Sequence, residues 1–189
     1  LAGNYASVIS NVIYTDPLAM FLSKTAEFVP QLGPRFGMNG NKVMPKNGGV
    51  ESVETAIKMA RYYGFKEKSI PDGKQEIIVF DNNFHGRMIT VVSFSTQQNY
   101  RAGFGPLTPG FVAVEFGNLN AVKAAINENT CGILVEPMQG EGGMRIPPAG
   151  FLKGLREIAD DHDLLLLLDE IQVGLGRSGR KFCFEHEGV

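Results

Sequence analysis

Cysteine is scarce in this chain: Cys131 and Cys183 are the only two. Two thiols make no disulfide framework, and Cys131 opens an apolar strand pattern, so the chain reads as reduced and intracellular. Neither sign of charge is in excess. The net charge of −2 supplies no basic face for nucleic acid. Long apolar runs are also missing, and none approaches the roughly 20 residues of a membrane span. No signal-peptide pattern, internal repeat or low-complexity tract is present. There is no GxGxxG after a strand and no GK[ST] phosphate loop. No metal site is expected, and tryptophan is absent. What remains is a globular composition, 43% hydrophobic and 20% charged over 189 residues, enough for one sizeable core. The chain begins at Leu1 rather than Met and ends at Val189 just after a glycine, so part of a longer protein is expected.

The most informative stretch is Leu164 to Gln172, "LLLLLDEIQ". An apolar run this short, without polar alternation, predicts a central strand buried on both faces of a parallel sheet. The run stops at Asp169, which places that carboxylate at the carboxyl end of the strand, the edge where open α/β sheets bind ligands. A carboxylate is costly to bury alone, so Asp169 either meets water or faces a cation.

The elements before it follow from spacing. Asp16-Pro17 opens a helix with Leu18, Phe21, Leu22 and Phe28 on one face, ended by Pro30. Residues 31–41 are a Gly/Pro/Asn-rich loop, and "KVMPK" at 42–46 reads as a brief strand. Asn47-Gly48-Gly49 then leads into a helix with Val53, Ile57 and Ala60 inward and Gly64 as its stop. A glycine turn before a helix start suits a phosphate, and it equally suits an ordinary tight turn. Glu76 to Asp81 is a strand, followed by "NNFHGRM" and a second apolar run, "ITVVSFS". That puts Phe84, His85 and Arg87 on a short connection at a sheet edge. The trio fits a planar anionic ligand, or a loop that plugs Phe84 inward and leaves Arg87 in water. Strand 111–116, a helix capped by Asn118, strand 132–136 ending in Glu136, a loop carrying Glu141, and a helix from about Pro148 complete the order. Strand–helix–strand–helix–strand is a parallel α/β sheet flanked by helices. Spacing alone supports an enzyme or binding domain for an anionic ligand.

Five motifs carry a resemblance: "GGVESVETAIKMAR", "NFHGR", "GFGPLTPGF", "VEPMQGEGG" and "LLLDEIQVGLGRSGR". In this order, from about Lys42 to Val189, they resemble the class-III pyridoxal-phosphate-dependent aminotransferases, the subgroup of ornithine and acetylornithine aminotransferases. The stretches "KVMPKNGGVESVETA" and "GFGPLTPGF" are most similar to ornithine aminotransferases. The resemblance implies part of the large cofactor domain of a fold-type-I transferase: residues 1–41 lead in, and 42–189 form part of the pyridoxal 5'-phosphate domain. It implies that Asp169 pairs with the cofactor's ring nitrogen, keeps it protonated and is the catalytic residue of the site. Gln172 would bond the ring's phenolic oxygen, Phe84 would stack on the ring, and Gly48, Gly49 and Val50 would hold the phosphate. Arg87 and Glu141 would meet substrate, with His85 beside them. The role of Glu136 stays open between structural and site-shaping.

Two departures stand out. Gly48 occupies a position where the family usually has a hydroxyl for the phosphate. His85 stands where ornithine aminotransferases often carry tryptophan. The Schiff-base lysine and the C-terminal domain are expected beyond Val189, and Lys181 sits in no such context. The function implied is transfer of an amino group from ornithine, or a related terminal amine, to a 2-oxo acid such as 2-oxoglutarate, in a cytoplasmic homodimer, or in the mitochondrial matrix for a eukaryotic source. The alternatives are acetylornithine or 4-aminobutyrate aminotransferase, a non-catalytic relative of the same fold, or a phosphate-binding α/β domain of other chemistry.

Overall fold

The computed structural model describes residues 16–29 and 41–189. The expected end of the first helix at Pro30 and the loop over 31–40 lie outside the described residues. The chain divides into two compact units, residues 1–46 and 47–189. In the first, helix α1 (Asp16–Phe28) has no buried residue.

The second unit holds α2 (Gly49–Lys66), β1 (Glu76–Phe80), α3 (Ile89–Ser93), α4 (Gln98–Arg101), β2 (Phe111–Val114), α5 (Leu119–Ala125), β3 (Thr130–Val135), α6 (Phe151–Asp161), β4 (Leu165–Leu168) and a 3-10 turn (Cys183–His186). The four strands form one parallel sheet in the order β2-β1-β3-β4. Period-two alternation sends the side chains of the sheet to two cores. Ile78, Phe80, Ile133 and Val135 meet Phe151, Leu155 and Ile158 of α6 on one face. Ile77, Val79 and Leu134 meet Val53, Ile57 and Ala60 of α2, with Val91 of α3, on the other.

Four expectations need correction. Residues 42–46 form no strand. Pro45 lacks a donor, Met44 is exposed, and no strand among the described residues pairs with the run. The run "ITVVSFS" is not a strand either: Ile89–Ser93 is a helical turn. Both neighbours of β1 are already taken by β2 and β3, so a β-branched stretch with no ladder to join packs Val91, Val92 and Phe94 inward instead. Gly64 does not stop α2, which runs to Lys66. It is a contact point, because a Cβ there would stand 2.7 Å from that of Cys131. Finally, β4 lies at an edge of the sheet that the described residues form. It pairs only with β3 among the described residues, and its leucines are half-buried. Its alternation still feeds both cores, with Leu166 and Leu168 on one face and Leu165 and Leu167 on the other.

Candidate functional site

Parallel strands bring their carboxyl ends to one rim. There a cavity of about 400 Å³ is lined by the first turn of α2, the loop after β1 and the loops after β3 and β4. Of the residues singled out from the sequence, Gly49, Val50, Phe84, His85, Glu136, Glu141, Asp169 and Gln172 line it. Gly48 and Arg87 do not.

The loop after β1 is fixed at several points. Asn83 is buried and donates to Phe80 O at 2.5 Å and Phe94 O at 3.2 Å. The N–H of Phe84 donates to Glu136 Oε2 at 3.0 Å, tying the loop to the end of β3. His85 Nδ1 lies 2.7 Å from Asp169 Oδ2, tying it to the end of β4. Gly86 has φ +121°, and a Cβ there would stand 2.6 Å from the Val50 side chain, so the loop also rests on the start of α2. Only glycine meets both demands. Arg87 stands 5.6 Å over the ring of Phe84 and 5.2 Å over that of Tyr100. It flanks the cavity through cation–π contacts rather than lining it.

At the start of α2 the first N–H groups have no intrahelical acceptor. Glu51 takes those of Asn47 and Gly48, at 2.9 and 3.1 Å. Gly49 and Val50 follow at the N-terminus of the 18-residue helix, where the helix dipole is positive. At the far side, Asp169 Oδ1 accepts the Ile171 N–H at 3.1 Å. Glu136 is buried among acids. Burial pushes its carboxyl up to about 7, opposed by His85 and the Phe84 N–H and reinforced by Asp169 and Glu141.

Some of the site was not read from sequence. Gln139 donates to Asp81 O at 2.7 Å and bridges Arg145, which pins the loop that carries Glu141. Gly140 lies so close to Gln172 that a Cβ would overlap its amide oxygen. Met138, Ile171 and Arg177 complete the wall. Arg177, within "GLGRSGR", is the one Lys or Arg side chain among the described residues that lines this cavity. No pattern marks it apart from the exposed arginine beside it, Arg180. Asn82, Met144 and Leu175 adopt left-handed backbone, with φ of 54°, 53° and 55°, all on loops at this rim. Ser69 and Asp163, ahead of β1 and β4, adopt it too, with φ of 56° and 53°.

A glycine-flanked helix start, an aromatic wall and a strand-end carboxylate around one cavity define a cofactor-type α/β domain. The comparisons name the family. Residues 3–189 match Aminotransferase class-III, and the chain belongs to it. It is 44% identical over 183 residues to ornithine aminotransferase 2 of Staphylococcus aureus, a match covering 97% of this chain and 44% of that protein. It is 52% identical over 148 residues to ornithine aminotransferase 2 of Staphylococcus saprophyticus, covering 78% of this chain and 37% of that one. The fold is similar to the crystal structure of ornithine aminotransferase from Toxoplasma gondii, with a TM-score of 0.82 at 32% identity over 98% of this chain and 40% of that one. It is also similar to acetylornithine aminotransferase from Elizabethkingia anophelis, with a TM-score of 0.76 at 35% identity over 99% and 43%. The chain thus spans less than half the length of these relatives. Its sheet is part of a fold-type-I domain, and the family works with pyridoxal phosphate.

Proposed function

We propose that the protein carrying this chain transfers an amino group from ornithine, or a related terminal amine, to a 2-oxo acid such as 2-oxoglutarate, with pyridoxal phosphate in the cavity described above. The observation that supports this most is the convergence of Gly49, Val50, Phe84, Glu141, Asp169 and Gln172 from well-separated stretches onto one cavity. The named relatives at 44% identity favour ornithine over acetylornithine.

The residues present fit the cofactor. A dianionic phosphate needs donors, and the Gly49 and Val50 N–H groups at the helix start are free of the Glu51 cap. A ring needs a flat wall, which Phe84 supplies. A protonated ring nitrogen needs an anion, and Asp169 lines the cavity. The amide of Gln172 would hold the ring oxygen. When bound, the cofactor supplies an electron sink for the negative charge left on the amine-bearing carbon as its proton departs. Asp169 would keep the ring nitrogen protonated, and Phe84 would shield the ring from water. Arg87 is assigned to a substrate carboxylate, which its fork suits, and Glu141 to the region where substrate enters. Amine and 2-oxo acid use the same cavity in turn, a ping-pong order.

The reading includes a homodimer whose partner completes the site. Exposed Met144, Ile146 and Leu175 give apolar surface near the cavity for such an interface. It also includes a cytoplasmic location, with small metabolites rather than nucleic acid as partners. No helix among the described residues is long and apolar enough to cross a membrane.

The test is Asp169→Asn in the protein that carries this chain. It keeps shape and removes charge. A hydrogen bond to a charged group is worth about 1.5–3 kcal/mol, and this one acts most in the transition state. Turnover should fall at least about tenfold, and by more than cofactor affinity falls. Unchanged turnover would remove the role given to Asp169, and an unsubstituted protein with no turnover on ornithine and 2-oxoglutarate would remove the reading.

A further inference from the structure

The role implied for His85 by resemblance, beside the substrate, does not match where the side chain sits. Its side chain is 1% exposed, and its ring packs on Phe94 with centroids 5.7 Å apart. What it meets is Asp169, itself 6% exposed in its side chain, across a 2.7 Å bond from Nδ1 to Oδ2. The second oxygen of Asp169 already accepts the Ile171 N–H. An ionised carboxylate only accepts, so Nδ1 carries the proton. Nε2 is buried with no partner among the described residues. Without His85, Asp169 would keep only the backbone bond of its own turn. The other ionisable groups on the cavity wall are Glu136 from the end of β3, Glu141 from the next loop and Arg177 from the loop after β4. None of these three has a hydrogen bond to Asp169 in the structure.

We propose that His85 is a positioning residue: through Nδ1–H it fixes the orientation of Asp169, so that the carboxylate is set for a cofactor ring nitrogen. The proposal rests on the pyridoxal-phosphate reading above. The rival role is that of an aromatic filler under Phe94. The two roles tolerate different substitutions. The side-chain amide of Asn can place an N–H where Nδ1 stands. Phe keeps the ring and lacks the donor. Gln places its amide nearer the position of Nε2.

The experiment compares His85→Asn, His85→Phe and His85→Gln in the holoenzyme, with the thermal midpoint as a control for folding. The dissociation constant for pyridoxal phosphate, kcat and KM are measured for each. His85→Asn should stay near wild type. His85→Phe and His85→Gln should lose roughly 10–100-fold in kcat or cofactor affinity, the usual effect of removing an outer partner of a site ligand. KM for the 2-oxo acid should not move. A His85→Phe enzyme at wild-type level, equal losses in Phe and Asn, or a loss in Asn alone would each overturn the proposal. If the variants do not fold, long-range ¹⁵N–¹H correlation spectra of the unsubstituted protein decide: a ring protonated at Nε2 alone overturns it, and one protonated at Nδ1 upholds it. A wild-type protein that binds no pyridoxal phosphate would instead remove the functional reading, while the same spectra still judge the hydrogen bond.

Discussion

Glu136 holds a proton near neutrality, and that makes it a pH-dependent element of stability. Its carboxyl lies at about 7 in the folded chain against an ordinary 4.5, with burial as the first cause. The folded state therefore binds this proton more tightly than the unfolded state does. The stabilisation is complete below about pH 4.5 and is lost as pH rises through about 7. Glu136→Gln cannot ionise and still offers an oxygen to the Phe84 N–H. Its stability should rise relative to wild type between about pH 5 and about pH 8, by at most about 3 kcal/mol. Urea unfolding at the two pH values measures this, and a difference that stays constant with pH contradicts it. The same residue shows what a sequence conceals. A strand-end acid was legible from "GILVE"; its bond to the Phe84 N–H, 52 positions away, was not.

At the scale of elements, pattern was a good guide wherever a period could be counted. The inward faces of α2 and α6 are those that the spacing of Val53, Ile57 and Ala60, and of Phe151, Leu155 and Ile158, requires. Asn118 caps α5 as read, accepting the Ala121 N–H at 3.0 Å. The misreadings fall where the neighbour decides. "ITVVSFS" has strand composition and no strand to pair with, and Gly64 looks like an end and is a contact. The second case can be tested. Helix propensity alone makes Gly64→Ala stabilising by about 1 kcal/mol. The 2.7 Å approach to Cys131 makes it overpacked, at a cost of about 1–3 kcal/mol. We expect net destabilisation, seen as a lower denaturant midpoint with an unchanged slope. A raised midpoint would mean that α2 shifts away from β3 freely.

Across the whole molecule, the site is an assembly of rim segments that the chain visits far apart in sequence. Resemblance identified most of the wall residues. It could not show that Arg87 flanks the cavity or that His85 faces Asp169, because both facts depend on how loops pack after the sheet has formed. The leucine run governs that assembly through its length. β4 is in register with β3 from Leu165 to Leu168, and Asp169 donates its N–H to Val135 O at 2.8 Å. Asp169 turns to the cavity, whereas the next acid, Glu170, turns away to accept the N–H groups of Cys183 and Phe184, each at 2.8 Å. Deleting one leucine codon moves Asp169 into the place of Leu168, over the α6 core, and brings Glu170 to the rim with an extra methylene and without its partners, because a slip of one residue reverses every side chain of a strand. Leu166→Ile should leave cofactor retention near wild type, while the single deletion should abolish it even in protein that still expresses; retention by the deletion mutant would show that the strand can re-register. The gene can vary these leucines in kind but not in number.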